Sequence, residues 1–364
     1  MSTDRPDNQP AALGFRVLRG CRGRALYADG QGALYRSLHY RIHCSRDDGL
    51  SWQFVGAVPR PLRRKLIEPV RLFCRMVRHE VRGLLTLSDG ALIVAVRSGV
   101  YHGRPGQRRL ERATTDADAE DIRFPTTISA GPGDRIVWGE YWGNHGRREV
   151  RVMVSTDRGR SYQTAYVFAP REIRHVHSLQ YDPAQRGYWL FAGDHGEEPG
   201  IGLLAEDFSR FDWLVKGHQK YRAVCAFDRG DHLVYGTDTE LMTNGIYRLE
   251  KASGRLELLS EIGGSCIYAT RCGSYDLVSS TVERIKGEGR FSRDATLYAS
   301  ADGDRWQPVY AAAKDGLSYK YFQFGSLVLP RGQSPRNVVM FSGQAVRGID
   351  GRTLIAELTA DGRA

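Results

Sequence analysis

The sequence has no run of about 18 apolar residues, which excludes a membrane-spanning helix. Long apolar stretches with a helical period are also scarce, which argues against a helical bundle. No CxxC pair occurs among the six cysteines, Cys21, Cys44, Cys74, Cys225, Cys266 and Cys272. Scattered thiols in a large intracellular chain are expected to be reduced and buried. The start, MSTDRPDNQPAALG, is polar and lacks an apolar core, so no secretion signal and a cytoplasmic location are expected.

What the chain does have is glycine (41) and tyrosine (18), a mixture that favours many short strands joined by turns. Its 364 residues suggest two domains by length alone. Closed all-β architectures often run that long as one unit, so residues 1–364 are read as a single domain. The formal net charge is +10. Such a balance points to an anionic partner, whether acidic sugar, phosphate, nucleic acid or lipid head group. No aromatic-basic recognition module accompanies the charge, which argues against nucleic acid.

Internal repeats organise the chain. Ser45-Arg-Asp47-Asp-Gly49-Leu-Ser-Trp52 recurs as Ser155-Thr-Asp157-Arg-Gly159-Arg-Ser-Tyr162. A shorter form runs from Ser300 through Asp302 and Gly303 to Trp306, and a worn copy spans Asp207 to Trp213. Ser and Asp side chains can bond backbone N–H groups in a tight turn, and glycine takes the positive-φ position. Together with the strand-like runs between them, the copies mark a period of about fifty residues, the size of one four-stranded propeller blade.

The repeat resembles the Asp-box (BNR repeat), S-x-D-x-G-x-x-W, of sialidase-like β-propellers. The resemblance implies an all-β fold and a structural role for the boxes. Counting runs gives seven four-stranded blades, with six as the alternative. The last blade has only three strands of its own, and Phe15–Leu18 would supply the fourth and close the ring. Sialidases carry an Arg-Ile-Pro segment before the first box, whereas here Arg41-Ile42 is followed by His43, so no catalytic residue carries over. Similar seven-bladed propellers include lyases of uronic-acid polysaccharides, which use histidine, tyrosine and arginine, sometimes with a metal. His79, Arg82, His175, His177 and Tyr319 match those residue types.

Box turns join third to fourth strands and mark one face. The opposite face carries the loops between second and third strands and the links between blades. By that rule His79, His102, His145, His175, His177, His195 and His218 fall on the site face, and His39, His43 and His232 elsewhere. His175-Val-His177 on an extended segment points both rings to one side. With Asp194 and His195 on the next loop, the four form a candidate divalent-metal site. The catalytic candidates are His175, His177, Glu140, Tyr141 and His79. The ligand-binding candidates are Arg82, His102, Arg147, His195, Arg222, Asp238, Tyr319 and Lys320.

Residues 60–82 interrupt the rhythm with a basic segment. Pro69 suits a helix start, and Arg71, Arg75, Arg78 and Arg82 then fall on one face of a helix. That face is expected to be solvated or to meet an anionic membrane. The functional expectation is a carbohydrate-active propeller acting on an anionic glycan or glycoconjugate by lyase or glycoside-hydrolase chemistry. The alternatives are a non-catalytic glycan- or protein-binding propeller in polysaccharide biosynthesis, and a membrane-associated scaffold.

Overall fold

The computed structural model describes residues 12–116, 122–284 and 286–360. Residues 1–11, on which the expectation about a secretion signal rests, lie outside them. The fold is all-β apart from two short helices in the insert, a third at Tyr319–Phe322 and brief 3-10 turns. Among the described residues, no helix is long and apolar enough to cross a membrane. All six cysteines are free, and all but Cys21 are buried.

Antiparallel groups of strands succeed one another at 24–57, 81–112, 129–168, 176–216, 227–262 and 265–313. The final group takes Gly325–Val328, Val338–Gln344 and Arg352–Thr359 from the C-terminal part of the chain. Its outermost strand is Gly14–Arg22, paired with Arg352–Thr359 from Gly14↔Thr359 to Arg22↔Arg352. Short ladders on Arg331–Ser334 join the first group to the sixth, and Gly325–Val328 pairs with Tyr275–Val282 to join the sixth to the last, giving one 13-stranded sheet. The third group begins with only Ser129–Ala130, and Thr114–Thr115 adds a parallel pair on its outer side.

Burial within a group explains its sequence pattern. Second strands are covered on both faces and read as unbroken apolar runs: Leu92–Val96 and Gly187–Ala192 are buried throughout. Fourth strands such as Phe211–Lys216 are half-exposed and mix apolar with charged residues. The core is divided into seven apolar clusters, each shared by successive groups. One of these joins Met340 and Ile355 of the last group to Ala25 and Leu34 of the first.

The repeated Ser-x-Asp segments are turn staples between third and fourth strands. Gly49 N–H donates to Ser45 Oγ at 2.8 Å, and Gly159 N–H to Ser155 Oγ at the same distance. Ser51 and Ser161 hydroxyls donate to Asp47 and Asp157 at 2.6 Å. Tyr162 is buried against Trp138, at a centroid distance of 5.5 Å. Gly159 is required twice over. Its φ is +79°, and a Cβ there would lie 2.5 Å from Ile93 Cδ1 of the preceding group. Gly159→Ala is therefore expected to lower unfolding free energy by about 2–4 kcal/mol in urea titration. A loss under about 0.5 kcal/mol, the range of neutral surface changes, would contradict this packing.

The 60–82 insert departs from expectation. It forms two short helices, α1 (Leu62–Ile67) and α2 (Arg71–Met76), because Pro69 stops the first. Its basic side faces inward. Arg71 pairs with Asp350 at 2.9 Å; buried Arg75 pairs with Asp315 at 2.6 Å and donates to the Phe322 carbonyl. Arg78 leaves the helix with φ 51°. Arg71, Arg75, Arg78 and Arg82 thus form no continuous outward face, since carboxylates of the last two groups draw the guanidiniums in. Leu62, Leu66, Phe73 and Met76 are exposed instead.

Candidate functional site

The strand Val176–Asp182 opens the fourth group. Val176 points into the core, so its neighbours His175 and His177 point the other way. A bulge between Val176 and Ser178 aims His177 further. Asp194 arrives on the next loop, after Gly193, whose φ of +81° and contact with the Glu198 carbonyl admit no side chain.

The three side chains converge. His175 Nδ1–H donates to the Trp142 carbonyl at 2.6 Å, and His177 Nδ1–H to the Ala223 carbonyl at 2.8 Å. A carbonyl can only accept, so both Nδ1 atoms carry the proton and the neutral rings present bare Nε2 atoms. The two Nε2 atoms are 3.1 Å apart and lie 3.4 and 3.0 Å from Asp194 Oδ1. All three residues are buried. Three acceptors at such distances repel unless a proton or a cation sits among them. A tetrahedral ion with bonds of about 2.0–2.1 Å keeps its ligand atoms roughly 3.3 Å apart. The Nδ1–H bonds to carbonyls also fix the ring orientation that an ion requires.

A charge network surrounds the trio. Arg174 donates to Asp194 Oδ2 at 2.8 Å, and Arg222 Nη2 lies 3.3 Å from Oδ1. Arg222 also pairs with Glu240 at 2.6 Å, and Lys286 with Glu240 at 2.8 Å. Burial works to raise the Asp194 carboxyl, but the close approach of His175 and His177 holds it far below the usual carboxylate range. Burial lowers His175. Burial also raises Asp238, against the pull of Arg222. Glu283, beside Asp238, is pushed up to about 7 by burial and that neighbour's charge.

His177 and Asp238 also line a cavity to which every strand group contributes. Arg24, Arg78, Arg82 and Arg331 stand on its wall against Glu80 and Asp238. Arg24 is committed to Gln344 at 2.6 Å, Tyr268 Oη at 3.1 Å and Glu80 at 3.5 Å. Tyr141 packs on His175 at 4.2 Å between ring centroids, and burial with nearby carboxylate charge pushes its phenol up to about 12.

The remaining sequence candidates divide. Tyr141, Arg82, Arg222, Asp238, His175, His177 and Asp194 gather at this site. His195 is half-buried in the field of Asp194 and Glu240, outside the three-ligand cluster. Glu140 is held as a clasp: its oxygens accept the Arg123 and Arg151 backbone N–H groups at 2.8 and 2.9 Å. Arg147 pairs with Glu198. His102 lies at the box end of its strand, near Asp157 and Arg160, and so on the opposite face. Tyr319 and Lys320 sit on α3 (Tyr319–Phe322), packed beside α2. His79 joins Glu68 and His39 under the insert. His39 lies in a turn between second and third strands, so the loop rule places it on the site face and not elsewhere. Arg24, Arg331 and Glu283 were not among the site candidates, because lone charged residues at strand ends carry no spacing signal.

No protein-family model matches the chain, and no curated protein matches it. Solved structures do. One is from the mitotic checkpoint complex: 8% identity, 98% of each chain covered, TM-score 0.56. A GH74 xyloglucanase from Xanthomonas campestris matches at 15% identity and TM-score 0.55, over 93% of this chain and 53% of that one. An ancestral GH74 enzyme matches at 15% identity and TM-score 0.53, over 93% and 46%. The shared feature is the fold, a β-propeller. The chain spans about half the length of these two GH74 structures, and identities this low speak to fold alone.

Proposed function

We propose that this propeller closes as seven blades and handles an anionic glycan at its central cavity. Three features support the ring: the pairing of Gly14–Arg22 with Arg352–Thr359, the cluster joining last and first groups, and a cavity lined by every group. The boxes add the likeness to sialidase-type propellers.

The observation that carries the glycan reading is the cavity wall, with four arginines against two carboxylates and with Tyr141 and Tyr268 available to sugar rings. The GH74 neighbours, one of them a xyloglucanase, agree with a carbohydrate role, although fold does not fix function. Arg82, for which no ion pair is found among the described residues, is a cation free to meet a uronate or similar acid. A divalent ion held by His175, His177 and Asp194 would supply further charge neutralisation beside the cavity. Tyr141, at about 12, is too weakly acidic to serve as a base near neutrality. Glu283, at about 7, is the proton carrier suited to that range.

Calorimetry with a uronic-acid oligosaccharide and a neutral one tests this reading. The acidic sugar is expected to bind, and Arg82→Ala to weaken it about 10–100-fold, the worth of one charge-assisted hydrogen bond. Equal binding of both sugars, or of neither, sinks the proposal. Turnover that falls in Glu283→Gln with KM unmoved would make the propeller a lyase or hydrolase. Binding without turnover would make it a glycan-binding module.

A further inference from the structure

The insert is held to the propeller with very little apolar burial. α1 buries no residue, and Leu62 and Leu66 are 69% and 72% exposed. Neither helix has a side-chain N-cap, and helices of one or two turns are not stable in water on their own. Beneath them lies a second convergence of ligand-type side chains. His79 Nε2 is 3.1 Å from Glu68 Oε1, and ligand atoms of His39, Glu68 and His79 all lie within 4.8 Å of one another. His79 is fully buried at its side chain, and its Nδ1 has no hydrogen-bond partner. A buried, unpaired ring nitrogen beside a cavity wall is costly unless something fills the space. Cys74 Sγ, outside that group of three, stands 3.9 Å from His39 Nδ1. Arg60 grips Glu68 from the other side and keeps it ionised and oriented, while the carboxylate retains lone pairs for a further partner.

We propose that His39, Glu68 and His79 form a divalent-metal site that pins the insert onto the first strand group. Two imidazoles, a carboxylate and a nearby thiol suit a borderline-soft ion of the zinc class. The three ligands come from three places: the turn at His39, the joint between α1 and α2, and the exit from α2. An ion there ties the insert at both ends. It thereby sets the course of the chain through Arg78 and Arg82, which reach the central cavity. The site shares no residue with the His175–His177–Asp194 cluster, so either can hold an ion without the other.

The test uses the full chain, stripped with chelator and titrated with zinc. Wild type is expected to bind one equivalent more than His39→Ala and one more than Glu68→Gln, while His177→Ala keeps that equivalent. Zinc should slow tryptic cleavage after the insert's Arg63 and Lys65 at least tenfold in wild type, and not in His39→Ala. Circular dichroism of each variant verifies folding; His39 is a turn residue and Glu68 a joint residue, so both variants should keep the strand signal. Equal zinc stoichiometry in wild type and His39→Ala, or cleavage that zinc does not alter, overturns the proposal. Failure of sugar binding would not touch it.

Discussion

Asp194→Asn is expected to lower the unfolding free energy by about 3–5 kcal/mol in urea titration, the cost of breaking a buried charge network by removing one partner. The carboxylate serves four groups at once: Arg174 at Oδ2, and His175, His177 and Arg222 at Oδ1. Asparagine keeps the shape and deletes the charge, leaving two guanidiniums largely buried without their counter-ion. Arg222 retains Glu240, so the larger part of the loss falls on Arg174. The pH dependence follows from the shifts. Asp194 is depressed in the fold, so its contribution is complete above the unfolded carboxyl value of about 3.9 and fades as pH falls through the acid range. His175 is also lowered, so the unfolded chain takes up its proton first, and stability begins to fall below about 6.5. Wild type should lose stability in two stages on acidification, and the gap between wild type and Asp194→Asn should narrow only below the second. A gap under about 1 kcal/mol at neutral pH would show that Asp194 is not the hub of the network.

Local rules were readable from the chain and long-range ones were not. The Asp-box turns are built from side-chain-to-backbone bonds within five residues, so Ser45, Asp47 and Gly49 announce themselves without tertiary context. The same holds for His175 and His177, whose common side follows from strand alternation alone. Asp194 was legible because its loop belongs to the same strand group. What failed needed knowledge of partners far along the chain. Arg71 and Arg75 share a helix face in the sequence, but which way that face turns depends on Asp315 and Asp350, more than two hundred residues away. His39 and His79 are separated by the insert, and only its folding-back brings them together. The partners of Glu140, the backbone N–H groups of Arg123 and Arg151, carry no side-chain signal in the sequence.

The same contrast bears on the central cluster, where three acceptors face one point and something positive must resolve them. If that is a divalent ion, chelator-stripped protein should take it up again, and His177→Ala should weaken uptake by more than about 100-fold, beyond the 10–100-fold typical of losing a merely supporting residue. His175→Ala should act alike, whereas Glu140→Gln, which alters only the clasp beside Arg123 and Arg151, should leave affinity unchanged. Uptake should weaken as pH falls, since protons compete with the ion for the two Nε2 atoms. If the stripped protein takes up nothing that His177→Ala abolishes, a proton on one Nε2 does the work of the ion. The trio is then a buried anchor for Arg174 and Arg222, and charge neutralisation at the cavity falls to the arginines of its wall, Arg82 among them. Arg82→Ala should in that case weaken acidic-sugar binding more than it does where an ion shares the charge, so the two measurements constrain one another.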